Sequence, residues 1–192
     1  MSRVFGINKC CSLSKIDYFD ATKQFPRDLM HVLYEGVLNS EIMLLLKKLI
    51  VDYELDLEAV NVKIGIMRST REFTVPPKLR MGEVMDNRKL SSSLSIILSL
   101  ILGKYYSIED NPLDANFILL MKITSSLQCY SSTDQNLAVL QFDIINHNLA
   151  FKYLYPNSKG NTITPKLHSL LHFPSQIRLY GPPRYSRCFR YE

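Results

Sequence analysis

Apolar residues recur along most of this chain at the three- and four-residue spacing of an amphipathic helix. From Asp28 to about residue 50 the pattern predicts one helix, whose apolar stripe consists of Leu38, Ile42, Leu45, Leu46 and Leu49. Pro26 precedes this helix, and Asp28 lies in its first turn, where a carboxylate complements the helix dipole. Gly36, inside the helix, indicates a bend or a close approach of another backbone.

The second half of the chain repeats this periodicity between recognisable helix starts. Residues 89–106 predict an apolar, buried helix. Asn111 before Pro112 predicts the capped start of the next helix, with apolar positions Leu113, Phe117, Leu120, Met121 and Leu127. Ser132 and Gln135 have the spacing of a capping box, so we expect a helix from there to Pro156, with an apolar face of Leu137, Leu140, Ile144 and Phe151.

Shorter segments complete the predicted architecture. Residues 56–67 alternate like a strand but open like a helix, and we predict a helix; residues 68–87 predict a long connection. Thr164 before Pro165 predicts a short helix through Leu171, and later Pro174 and Gly181 predict turns. We therefore predict an all-α fold, an irregular bundle of five to seven helices. An irregular segment (1–26) precedes the helical domain (27–180), and a basic aromatic segment (181–192) follows it.

Composition agrees with a globular chain that has its own core. Of 192 residues, 46% are hydrophobic and 21% are charged, and Lys and Arg exceed Asp and Glu by 23 to 18. The four cysteines show no metal-ligating or disulfide spacing, which indicates a reducing compartment. The start lacks a signal-peptide pattern, and the longest apolar run (94–102) is too short to span a bilayer. We expect a nuclear or cytoplasmic protein that is not secreted and does not enter a membrane.

Motifs of the common enzyme classes are missing. The sequence has no phosphate-binding loop, no dinucleotide-binding glycine pattern, no zinc-protease helix and no nucleophile elbow. No small-molecule substrate is evident. Three local groupings of chemically active residues remain.

Two of these groupings are pairs at helical spacing. Asp28 and His31 share one face of the first turn of a helix and could meet a metal or a phosphate; the alternative, that Asp28 caps the helix and His31 is a partly buried polar residue, is favoured. His168 and His172 have a spacing that suits zinc. Because no third ligand is nearby, a structural role with hydrogen bonds to backbone is favoured there.

The third grouping is a basic aromatic run at the C-terminal end. From residue 178 to residue 190 it carries four arginines and no acid, and its candidate nucleic-acid contacts are Arg178, Arg184, Tyr185, Arg187 and Arg190. Arginines and aromatic rings together supply phosphate contacts and stacking faces for nucleic acid. A solvated basic turn with its rings packed on the helices is an equally good interpretation.

The three groupings, in this order, resemble the distal half of the catalytic region of CACTA (EnSpm)-type DDE transposases. The resemblance covers nearly the whole chain. It rests on residues 18–37 (YFDATKQFPRDLMHVLYEGV), on residues 165–174 (PKLHSLLHFP), and on a Gly-Pro followed by a run that ends in Arg-Tyr-Glu. Such a resemblance implies an RNase H-like nuclease that cuts and joins DNA with two divalent metals, Mg or Mn, held by three acids.

The resemblance assigns roles to particular residues. Glu192 matches the last acid of the triad, Asp28 and His31 match a supporting signature after the second aspartate, and residues 37–180 match the helical insertion. Arg187 stands where the family has a tryptophan. The two aspartates of the triad are expected upstream of residue 1, so the resemblance implies a truncated product that is catalytically inactive alone and has no metal of its own.

Three functional hypotheses follow. The first is a transposon-derived helical domain that binds DNA through residues 178–190. The second is a protein interaction module that docks a partner or a second copy through the apolar faces of residues 89–106 and 113–127. The third, a self-contained metal enzyme, would use Asp28, His31, His168 and His172 and is the least favoured.

Overall fold

In a computed structural model of the chain, residues 15–18, 26–52, 54–69, 111–156 and 163–185 are described, and they form helices with no strand among them. These residues contain six α-helices: α1 (Asn39–Asp52), α2 (Leu57–Ser69), α3 (Pro112–Leu127), α4 (Asp134–Leu154), α5 (Pro165–Leu170) and α6 (Phe173–Tyr180). The predicted all-α irregular bundle is thereby confirmed. The buried helix predicted at 89–106 and most of the connection predicted at 68–87 lie outside the described residues.

The first predicted helix has two geometries. It begins as a π-helical segment, Met30–Leu38, which continues directly into α1. The Asp28 carboxylate accepts hydrogen bonds from the backbone N–H groups of Met30 and His31, each at 3.3 Å, and so fulfils the predicted cap at this end. Apolar spacing predicted a helix here correctly, but it does not distinguish the wider π-helix from an α-helix.

Gly36 marks a close approach, as the sequence indicated, but the approaching atoms belong to the Lys166 side chain and not to another backbone. A Cβ placed on Gly36 would lie 3.0 Å from the carbonyl oxygen of His31 and 3.2 Å from Cβ of Lys166, and it would also overlap Lys166 Cδ. Because glycine has no side chain, α5 can pack directly against the π-helical segment. Two parts of the chain that are far apart in sequence therefore meet here.

Side-chain caps fix where three of the helices begin. Asn111 Oδ1 accepts from the N–H of Leu113 at 2.9 Å at the start of α3, and Thr164 Oγ1 accepts from the N–H of Leu167 at 3.1 Å at the start of α5. Both caps were predicted. The predicted cap of α4 at Ser132 is wrong by one residue, because Thr133 Oγ1 accepts from the N–H of Asn136 at 3.2 Å instead.

The turn predicted at Pro174 is wrong, whereas the break predicted at Gly181 is confirmed. Residues 173–180 form α6, with Pro174 in its first turn, and Gly181 ends it with a φ of 79°. Proline is compatible with the first turn of a helix because the N–H groups there have no partner within the helix. A 3-10 turn, Pro183–Tyr185, follows.

The core is a single cluster of apolar side chains from all six α-helices and the π-helical segment. The predicted apolar face of α4 is buried: Leu137, Leu140, Ile144 and Phe151 each have no more than 4% of their surface exposed. α1 contributes Ile42, Leu45, Leu46 and Leu49, which are all but inaccessible to solvent. None of the helices in the described ranges is both long and apolar enough to cross a membrane.

Candidate functional site

An acid and a histidine face each other inside the core. Glu41 lies on α1 and His147 lies on α4, and both side chains are fully buried. His147 Nε2 lies 2.7 Å from Glu41 Oε2. Charged groups are rarely this deep unless they are paired, because burial removes the water that stabilises them.

Amides complete the hydrogen bonding of this pair. Asn116 Nδ2 donates to Glu41 Oε1 at 2.9 Å, and His147 Nδ1 lies 3.2 Å from Asn148 Oδ1. Asn148 Nδ2 donates in turn to the carbonyl oxygen of Leu167 in α5, at 3.2 Å. The network thus joins α1, α3, α4 and α5 through polar contacts within an apolar core.

The charge state of His147 follows from two opposing effects. Burial lowers the pKa of His147, but the charge of Glu41 and the hydrogen bonds that the imidazole donates to Glu41 and Asn148 outweigh burial, and the pKa is raised above the ordinary value of 6.5. We therefore describe the contact as a buried ion pair in which both imidazole nitrogens donate. Nearby, burial and the charges of Glu41 and Asp114 raise the pKa of the Tyr155 phenol.

A rise in pH is expected to weaken this contact. Since the pKa of His147 in the folded chain is above its unfolded value of 6.5, its stabilising contribution is complete below pH 6.5 and is lost as pH rises through the folded pKa. The free energy of unfolding, measured by urea titration, should therefore fall as pH increases from 6.5.

His172 provides the control for that measurement. Its pKa is lowered by burial and by the positive charges of Arg27 and His168, so its contribution has the opposite sign and is lost as pH falls. A His172→Gln variant should keep the decrease above pH 6.5. A His147→Gln variant should lack it, and an unchanged decrease in that variant would contradict the assignment.

Sequence reasoning missed the buried pair. Glu41 directly precedes Ile42 in the apolar stripe of α1, and His147 lies three residues after Ile144 and four before Phe151 on the apolar face of α4. The available sign in the sequence was a polar residue at a helix position that the apolar spacing assigns to the core. That sign marks each residue as buried, but it does not say which residue it contacts.

Asp28 and His31 contact each other at the start of the π-helical segment. Asp28 Oδ2 bonds to His31 Nδ1, and His31 Nε2 lies 3.8 Å from a carboxylate oxygen of Glu35. Half of the His31 side chain is exposed, so this histidine is more accessible than the partly buried residue expected from the sequence. Asp28 acts as the favoured interpretation predicted, as a helix cap.

His168 and His172 also form a pair, which lies next to Arg27. Their Nε2 atoms are 3.3 Å apart and their rings meet edge to face, so the imidazoles contact each other. Among the described residues, no three histidine, cysteine or acidic side chains come together in a way that could hold a metal ion. The four residues of the metal-enzyme hypothesis form two separate pairs.

The basic run begins at the end of α6. Arg178 is half exposed, and its Nε lies 3.0 Å from Asp134 Oδ1 at the first turn of α4. Tyr185 is 69% exposed in the 3-10 turn, which also contains Arg184. The side chain of Arg184 and residues Arg187, Arg190 and Glu192 are outside the described part of the chain.

An open groove lies beside Arg178. It has a volume of about 530 Å³, and it is lined by the loop between α3 and α4 and by the end of α6, including Tyr130, Ser131, Ser132, Asp134 and Arg178. Guanidinium and hydroxyl groups at one surface can together donate hydrogen bonds to phosphate oxygens.

The apolar face predicted on residues 113–127 as an interaction surface packs mainly into the core of the same chain and is not free to dock a partner. Leu113, Phe117, Leu120 and Leu127 are buried, and Met121 is partly buried against that core. The other predicted surface, at 89–106, lies outside the described residues. Exposed apolar side chains occur instead on the outer face of α4.

Comparison with protein-family models finds no match, and neither the curated proteins nor the solved structures contain a matching one.

Proposed function

We propose that this chain is a transposon-derived helical domain, similar to the insertion of CACTA-type DDE transposases, and that it binds DNA through its basic C-terminal segment. One observation carries the proposal. The two sequence blocks on which the resemblance rests, residues 18–37 and 165–174, are distant in sequence, yet their described parts pack against each other. α6, at the end of which the basic run begins, is held against the unit that they form.

Several contacts build this unit. The close approach at Gly36 places α5 against the π-helical segment. The N–H of Arg27 donates to Gln176 Oε1 of α6 at 3.1 Å, across 149 residues of sequence. Phe173, at the start of α6, lines a small crevice together with Pro26 and Arg27. Both blocks thus hold α6 in place, and α6 carries Arg178.

The groove beside Arg178 supports DNA as the ligand. The positive charge of Arg178 is balanced at present by Asp134, and a DNA phosphate can take the place of that carboxylate because both are anions with oxygen acceptors. Tyr185, largely exposed in the 3-10 turn after α6, offers a ring for stacking. The net charge of +5 favours an anionic partner.

The proposed role is binding, without strand cleavage by this chain alone. Cleavage with two metal ions needs several converging carboxylates, and the resemblance assigns only Glu192 of this sequence to the triad. Asp28, which the resemblance makes a supporting residue, is committed to the helix cap and to His31. The described residues do not fit a metal centre. A DNA-binding role would place the protein in the nucleus.

Binding to duplex and single-stranded DNA should be measurable at low salt and should weaken steeply as salt increases. Each phosphate contact releases counterions, so the logarithm of the binding constant falls linearly with the logarithm of salt concentration. Replacing Arg178, Arg184, Arg187 and Arg190 by glutamine should reduce that slope by about one for each arginine that contacts a phosphate. Fluorescence anisotropy with labelled DNA measures both quantities.

Lys152→Gln is the matched control for Arg178→Gln alone, because each removes one positive charge and Lys152 lies near the far end of α4, away from Arg178. It should leave the slope unchanged. No affinity for either form of DNA at low salt would overturn the proposed function. An equal loss in the control would show that net charge, and not this segment, drives binding.

A further inference from the structure

The outer face of α4 is apolar and exposed. Five large side chains on it are open to solvent: Val139 (48%), Phe142 (62%), Ile145 (41%), Leu149 (64%) and Tyr153 (85%). We call these five residues the outer stripe. Single exposed apolar residues are normal on a protein surface, whereas a continuous row on one helix marks an interaction surface.

Helical spacing makes the outer stripe continuous. Val139, Phe142, Asn146, Leu149 and Tyr153 follow one another at alternating steps of three and four residues, with Asn146 at the central position of the series. This series lies on the side of α4 opposite the buried face that includes Leu140, Ile144 and Phe151. A polar residue in the middle of an apolar seam is typical of paired helices, where it sets the alignment of the two partners.

The size of the outer stripe fits a second copy of the chain. Taking roughly 200 Å² as the full surface of one such side chain, the exposed fractions leave about 600 Å² of apolar surface on each copy. Two copies facing each other would bury about 1,200 Å² in total, which is the lower end of the range for specific interfaces.

Symmetry and the helix dipole favour an antiparallel pair. A twofold axis perpendicular to α4 pairs each outer stripe with an identical one, and it sets the two helix dipoles in opposite directions.

We propose that two copies of this chain associate through the outer stripes of α4, packed antiparallel about a twofold axis. This surface is separate from the DNA-binding segment, since it lies on the exposed face of another helix. The dimer is therefore independent of the proposed function.

Sedimentation velocity over a wide range of concentrations tests the dimer. The unaltered chain should shift from monomer to dimer as concentration rises, with no DNA present. Phe142→Glu with Leu149→Glu should raise the dissociation constant at least tenfold, because it places charges at the centre of the interface. Both side chains are exposed, so the fold should persist, and circular dichroism checks that it does.

Val62→Glu is the matched control: Val62 is 57% exposed on α2, outside the stripe, and its replacement should leave association unchanged. A chain that is monomeric at every concentration overturns the proposal, whether other residues of the chain or a different protein cover the stripe. Association that survives the Phe142 and Leu149 changes also overturns it.

Discussion

His147→Leu is expected to lower the free energy of unfolding by about 3–5 kcal/mol. The substitution leaves the Glu41 carboxylate fully buried, with only the Asn116 amide as a remaining hydrogen-bond partner among the contacts described above. A charge deprived of its counter-ion in the core cannot regain the water it lost. Chemical denaturation near pH 6, where the ion pair is intact, measures the effect.

The double variant Glu41→Leu with His147→Leu separates charge from packing. It removes both members of the ion pair, and replacement of a buried pair by apolar residues of similar volume is often neutral or stabilising. We therefore expect the double variant to be more stable than His147→Leu alone. If adding Glu41→Leu destabilises the protein further, the cost lies in lost packing and not in an isolated charge.

Phe173→Ala is expected to destabilise the chain by about 3–5 kcal/mol, because it removes a buried aromatic ring and leaves a cavity. Phe173 is 1% exposed, and it anchors the beginning of α6 in the core. The midpoint of thermal or urea unfolding measures the change. Because α6 presents Arg178, DNA affinity should fall in the same variant.

Leu179→Ala is the matched control on the same helix. Leu179 is 62% exposed, and exposed substitutions away from special features usually change stability by less than about 0.5 kcal/mol. Similar losses in both variants would mean that helix formation in α6, and not the anchoring of Phe173, determines the stability of this region.

Local patterns predicted most of the secondary structure. Asn111 with Pro112 and Thr164 with Pro165 place helix starts correctly because a cap and a proline act within one turn of the chain. The wrong prediction at 173–180 has the same origin. A proline disrupts the interior of a helix but is compatible with its first turn. The sequence alone does not say which of these positions Pro174 occupies.

Contacts between distant residues were harder to predict. The Asp28–His31 contact could be predicted from spacing, since three residues separate positions on one helix face. The Arg178–Asp134 and Glu41–His147 pairs depend on how helices pack, and no local rule connects their members. The apolar spacing of α4 predicted only the face that is buried. The exposed apolar residues of the outer stripe were therefore not predicted.

The polar contacts around Glu41 restrict how the helices can slide. Leucine and isoleucine contacts tolerate a shift of one helix turn, because another apolar residue arrives at nearly the same place. A one-turn slip of α4 along α1 would carry the imidazole about 5.4 Å from its carboxylate. Asn148 would also lose the α5 carbonyl to which it donates. The Glu41–His147 ion pair therefore selects one alignment of the helices, which the apolar contacts alone would not distinguish from a neighbouring one.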